Sequence, residues 1–238
     1  YPYSGTTPTI GLPHWAKDGG PERLMAALRD ADDRERMKRE ITRDRLENNW
    51  LTNFKQPQNM QYDGKLITDI ADMRGQDPAD TLFDLLIEEN LGISTVGLGT
   101  NAQTLYAFVS HPAGMIASDA ILFGEYPNPR TYGCFPIVLA EFVRAEKHLK
   151  LPEAIRKMTS FPAQRLGLPD RGLLRNGFKA DIVIFNPDTV KTHATKEDPK
   201  HYPVGIHYVI VNGKVVIENG ENTGVLPGRG LRRGRAST

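Results

Sequence analysis

The chain has 238 residues, 39% of them hydrophobic and 25% charged, enough for one large domain or two ordinary ones built on a real core. With 30 basic and 29 acidic side chains the formal charge is +1, so no global field draws it to nucleic acid or to an anionic membrane. Its single cysteine, Cys134, excludes an intrachain disulfide framework and a Cys-rich zinc module and suits a reducing, cytoplasmic compartment; no apolar run approaches the ~18 residues of a membrane span.

Residues 1 to 20 read as loop, punctuated by Pro2, Pro8, Pro13 and Gly19-Gly20, and no initiator methionine precedes Tyr1, so a piece of a longer or processed chain is expected. Pro21 opens a helical stretch running to Trp50, in which Leu24, Met25 and Leu28, then Met37 and Ile41, recur at helical spacing. "DADD" at 30 to 33 divides it, with Asp32 or Asp33 as a cap. Thr68 to Met73 is a short helix, and Asp77 caps another that opens at Pro78, with Leu82, Leu85 and Leu86 as its apolar face. "ISTVGLGT" reads as a strand and "NAQTLYAFVSHP" as a helix capped by Asn101 and stopped at Pro112.

Residues 114 to 118 then read as a short strand ending at Asp119, followed by a long irregular segment, "AILFGEYPNPRTYGCFP". Helices from Ile137 to about His148 and from Pro152 to about Thr159 complete a β/α alternation. From Arg171 onward β-branched residues take over, and Asn212-Gly213 between "YVIV" and "KVVIE" predicts a hairpin in a small β module whose boundary falls near residue 170. The tail, with Arg229, Arg232, Arg233 and Arg235 among glycines, reads as a solvated terminus.

Chemistry concentrates on one loop. A short strand, a carboxylate and a long loop put a catalytic group at the mouth of an α/β barrel, yet taken alone Asp119 reads first as a turn residue. Arg130, eleven positions on, offers a bidentate fork to a carboxylate, and pairing with Asp119 or a backbone carbonyl explains it equally well. The six histidines form no HxH, no HExxH and no tight pair with a carboxylate, so the chain alone carries no convincing metal site. Cys134 reads as a small buried hydrophobe, and no G-x-S-x-G elbow or phosphate-binding glycine loop is present.

Taken together, "YPY", "LITDIADMRGQDPADTLFDLLIEE", "HPAGMIASD", "NPRTYGCFPIVL", "AIRKMTSFPAQRLGLPDRGLLRNGFKADIVIFNP" and "HYVIVNGKVVIENGENTGVLPGRGLR" resemble the C-terminal half of the N-acyl-D-amino-acid deacylase (D-aminoacylase) family of the amidohydrolase superfamily. The resemblance implies an α/β fold: the C-terminal portion of a TIM-like (β/α)8 barrel with a large helical insertion, plus a small β-sandwich domain. Residues 1–170 would be barrel, 4–95 the insertion region with its return, 114–118 the last barrel strand, and 171–238 the sandwich segment. It implies zinc-dependent hydrolysis of an N-acyl-D-amino acid, with Asp119 taking a proton from the attacking water and passing it to the leaving nitrogen. Arg130 and Tyr1 or Tyr3 would hold the substrate carboxylate, with Tyr132 beside them. Apart from Asp119, the resemblance leaves no metal ligand in this chain, so one or two Zn2+ ions and most of the barrel would come from an N-terminal half, as a companion chain or the rest of a precursor. Ala120 and Asn128 stand where the family usually has glycine and histidine. The rival expectations are a hydantoinase-like cyclic-amide hydrolase and a non-catalytic degenerate homologue.

Overall fold

A computed structural model describes residues 3–98, 101–122 and 124–231; Tyr1 and the tail arginines Arg232, Arg233 and Arg235 lie outside them. The first part runs β1 (Tyr3–Thr6), α1 (His14–Lys17), α2 (Pro21–Arg29), α3 (Ala31–Glu40), α4 (Arg43–Glu47), β2 (Asn49–Thr52), β3 (Lys65–Leu66), α5 (Ile67–Arg74), α6 (Pro78–Glu88) and β4 (Ser94–Leu98). Then follow α7 (Ala102–Ser110), α8 (Arg130–Ile137), a π-helical continuation (Val138–Ala145), α9 (Leu151–Met158) and α10 (Ser160–Leu166). The last part carries β5 (Ile182–Phe185), β6 (Ile206–Val211), β7 (Lys214–Glu218) and β8 (Glu221–Asn222).

The protein is thus α/β, with helices and two four-stranded antiparallel sheets, ordered β1-β4-β2-β3 and β5-β6-β7-β8. The first sheet closes a long excursion: Tyr3 to Thr6 pair with Leu98 to Thr95, some ninety residues away in sequence. Its two faces differ. Leu51 of β2 is fully buried in a core with Leu28, Met37, Ile70, Phe83, Leu85 and Leu86 from the helices. Each such side chain contributes about 2 kcal/mol by leaving water. A second, smaller core of Val138, Leu139, Phe142, Leu149, Ala154 and Val190 joins the π-helical segment to α9 and to the loop after β5.

Local signals account for much of this. Asp77 accepts hydrogen bonds from the Ala79 and Asp80 amides and Asn101 from those of Gln103 and Thr104, as N-caps do. Asn212 and Gly213 both have positive φ, the requirement of a tight hairpin turn, and β6 and β7 flank them.

Four expectations are corrected. The cap of α3 is Asp30, which receives the Asp33 amide at 2.9 Å, because the helix starts one residue after it rather than inside the acidic run. The helical stretch ends at Glu47, and Trp50 lies in β2, paired with Val96. The helix expected from Ile137 starts at Arg130, since Asn128 supplies a cap, and stops at Ala145 after widening to π spacing behind Pro136, which has no N–H to give. Residues 114–118 form no strand: the carbonyls of Gly114 and Ala117 are taken by side chains of neighbouring helices, and no strand lies alongside the segment among the described residues.

An ion network locks α3 to α6. Arg34 reaches Asp80 at 3.0 Å and Asp84 at 2.8 Å, and Lys38 reaches the other Asp80 oxygen at 2.5 Å. Burial alone would raise the Asp80 pKa, but the hydrogen bonds from Lys38 and Arg34 outweigh it and hold the carboxyl below its ordinary value. A depressed carboxylate stabilises the fold fully above its unfolded pKa, and that stability is lost as pH falls through the lower folded value. Asp80→Asn should therefore cost about 1 kcal/mol at neutral pH, with the deficit shrinking below about pH 4, measured as urea midpoints across pH.

Candidate active site at the Asp119 loop

The segment from His111 to Leu122 has no strand or helix of its own beyond the turn that follows Ser110. Lysine and helix side chains fix it from one side. Lys157 of α9 is fully buried, and its ammonium donates to the carbonyl of His111 and, at 3.0 Å, to that of Gly114. Burial lowers its pKa, opposed by the nearby Glu153 carboxylate. Its own carbonyl accepts the Ile116 amide at 3.1 Å. Farther along, the Cys134 thiol donates to the carbonyl of Ala117 at 3.3 Å, Arg130 Nε to that of Asp119 at 3.1 Å, and the Thr131 hydroxyl to that of Ile121 at 3.3 Å. Alternate carbonyls of an extended segment thus meet three side chains from the start of α8.

Asp119 sits at φ +46°, a left-handed conformation that aspartate tolerates better than most residues. Arg130 grips it twice: Nε on the backbone carbonyl and Nη2 on Oδ2 at 2.5 Å. The arginine side chain is 14% exposed and the aspartate 76%, so the cation is the anchored partner and the carboxylate faces outward. Arg130 is aimed by Asn128, whose Oδ1 accepts the Arg130 amide at 3.0 Å while its Nδ2 donates to the Tyr3 carbonyl at 3.3 Å. That bridge needs Gly5 on β1, where a Cβ would stand 3.2 Å from the Asn128 amide. Cys134 lies inside α8; burial pushes its thiol pKa up, consistent with a packed side chain rather than a nucleophile.

Asp119 and Arg130 line a cavity of about 240 Å³ whose floor is the open face of the first sheet. Gly5 pairs with Val96 and Thr52 with Ser94 across the strands, and all four line the cavity, opposite in phase to the buried Leu51. Asn53, Thr6 and Thr131 extend the polar lining. Tyr3 contributes its carbonyl to Asn128 rather than a wall of this cavity, and Tyr132 packs edge-on against Tyr202 with ring centroids 5.5 Å apart, outside the lining. Lys157, Asn128 as a bridge, Thr52 and Ser94 were not singled out from the sequence in these roles. The only visible signal for Lys157 is a lysine three positions after Ala154, in register with the apolar stripe of α9.

The sequence profile of the amidohydrolase family matches residues 14–217. The chain belongs to the amidohydrolase family. Two curated relatives from Alcaligenes xylosoxydans xylosoxydans resemble it at 44% identity: an N-acyl-D-aspartate deacylase over 53% of the chain and a D-aminoacylase over 50%. The matches cover 26% and 25% of those relatives, so this amidohydrolase chain spans about a quarter of their length. A solved N-acyl-D-glutamate deacylase from Bordetella bronchiseptica, complexed with zinc and a phosphonate mimic of the tetrahedral intermediate, superposes on 91% of the chain and 38% of itself, with 27% identity and a TM-score of 0.68.

A metal held by such relatives asks for several donors. Among the described residues no three His, Cys, Asp or Glu side chains converge to hold one, and Asp119 is the only acidic side chain lining the cavity. One carboxylate does not fill a divalent coordination sphere, so the described residues do not fit a metal by themselves. No helix among them is long and apolar enough to cross a membrane.

Lys157→Met should leave two carbonyls without their donor, lowering unfolding free energy by about 2 kcal/mol. Limited proteolysis should then cut within 111–122 faster than in the native protein, and an unchanged cleavage map would contradict the tether.

Proposed function

We propose that the protein to which this chain belongs hydrolyses the amide bond of N-acyl-D-amino acids, releasing a carboxylate and a D-amino acid. The observation that carries this reading is the outward-facing Asp119 carboxylate lining the cavity, clamped by Arg130, in a chain of the amidohydrolase family with deacylase relatives. A metal is part of the proposal, zinc by analogy with the zinc-complexed relative, and it would supply the polarisation of the acyl carbonyl and of the attacking water. Its ligands are assigned to sequence outside the described residues, in an N-terminal half that is either a companion chain or the rest of a longer polypeptide. The C-terminal barrel portion and the β-sandwich, with the division near residue 170 and an insertion at 4–95, belong to the same proposal, as does a cytoplasmic setting.

The residues of this chain do the following. Asp119 accepts a proton from the attacking water and delivers it to the leaving nitrogen; Oδ1, which accepts no hydrogen bond among the described residues, is the oxygen for that transfer. Arg130 holds the Asp119 backbone carbonyl through Nε and the carboxylate through Nη2, leaving Nη1, without a partner among the described residues, to meet the substrate's carboxylate. Tyr1 and Tyr3 stay as candidates for the same carboxylate. The identity of the side chain is open at this level, because two relatives at the same 44% identity carry different substrate names.

In the full-length, metal-loaded protein, Asp119→Asn should lower kcat on N-acetyl-D-amino acids at least a hundredfold while shifting the urea midpoint little, given its exposure. Equal, negligible turnover by both proteins would sink the enzyme reading, and turnover of hydantoins in place of acyl amino acids would redirect it. Arg130→Lys keeps the charge but not the fork; it should lower kcat and raise KM together, in the same steady-state assay.

A further inference from the structure

Resting on the reading that the cavity receives an N-acyl amino acid, we propose that Thr52 and Ser94 select the substrate side chain, favouring one that is short, uncharged and hydrogen-bonding. The two residues face each other across β2 and β4 and both line the cavity. Thr52 is only 5% exposed, yet neither its hydroxyl nor that of Ser94 has a hydrogen-bond partner among the described residues. Neighbouring hydroxyls are occupied: Thr95 donates to the Thr6 carbonyl at 3.3 Å, Thr7 pairs with Thr9 at 2.7 Å, and Thr131 donates to Ile121. Together with the exposed Thr6 hydroxyl, which also has no partner among the described residues, the two open hydroxyls are left for a ligand or water, and a hydrocarbon side chain would displace the water without replacing its bonds.

Charge narrows the class further. Among the described residues, Asp119 and Arg130 are the ionised groups lining the cavity, and they are already paired at 2.5 Å. A side-chain carboxylate would meet the Asp119 charge, while Arg130, the one cation lining the cavity among the described residues, is taken up by Asp119 and the substrate's own carboxylate. The cavity, about 240 Å³, has room for a polar side chain beside these hydroxyls.

The test compares kcat/KM of the full-length, metal-loaded protein on N-acetyl-D-serine, -asparagine, -alanine, -leucine and -aspartate. Serine and asparagine substrates should exceed leucine and aspartate by at least about tenfold. Thr52→Val, which keeps the β-branched shape, and Ser94→Ala should each lower the serine-to-alanine ratio about five- to tenfold, an effect of the size expected for one hydrogen bond. Preference for leucine or aspartate in the native protein, or variants that scale every substrate alike, would overturn the proposal. Calorimetric binding of D-serine against D-leucine separates the two layers: if no amide is cleaved, the hydrolase reading fails, while selective D-serine binding lost in Thr52→Val still upholds the hydroxyl pair, and equal binding refutes it.

Discussion

Everything in the candidate site hangs on the pairing of residues 3–6 with residues 95–98. It brings the first described residues of the chain back to a strand that leaves α6, with all of the first helical core enclosed between them. The resulting sheet serves two media at once. One face buries Leu51 among the helices, and the other offers Thr52, Ser94, Val96 and Gly5 to a cavity. Because side chains alternate, a slip of one residue of β2 against β4 would send the Thr52 hydroxyl into the core and Leu51 into the cavity. The same pairing sets the Tyr3 carbonyl where Asn128 can reach it, so the start of α8, and with it Arg130, is indexed to the sheet.

Sequence reading recovers what is local. The caps at Asp77 and Asn101 and the Asn212-Gly213 turn each depend on residues within three or four positions, and each forms as expected. The choice among the acidic residues at 30 to 33 fails by two or three positions, because all of them are chemically fit to cap and only the start of the helix decides. Asp119 and Arg130 were both legible, and the structure makes them partners, one of the two readings that spacing alone left open. What was not legible is non-local: the antiparallel partner of β1, the lysine under the turn, and the identity of the floor residues. No short-range signal distinguishes Thr52 on a cavity floor from a threonine in any strand.

The segment expected as a strand shows how the missing ladder is replaced. Its carbonyls at Ala117, Asp119 and Ile121 are met by a thiol, a guanidinium and a hydroxyl rather than by amides of a neighbouring strand. Side-chain donors impose less cooperative order than a ladder, but each can be aimed. The guanidinium, largely buried on a backbone whose amide Asn128 accepts, holds both the backbone and the carboxylate of Asp119, which explains how a residue with positive φ keeps an outward orientation.

The attachment of this segment largely by side-chain donors has a thermal corollary. The helical cores do not require these contacts, whereas the carboxylate loop is held by Lys157 at His111 and Gly114 and by Cys134, Arg130 and Thr131 farther along. Local opening of the loop is therefore a separate equilibrium from global unfolding. Loss of the geometry around Asp119 on warming is therefore not read by circular dichroism of the helices, which follows the helical cores.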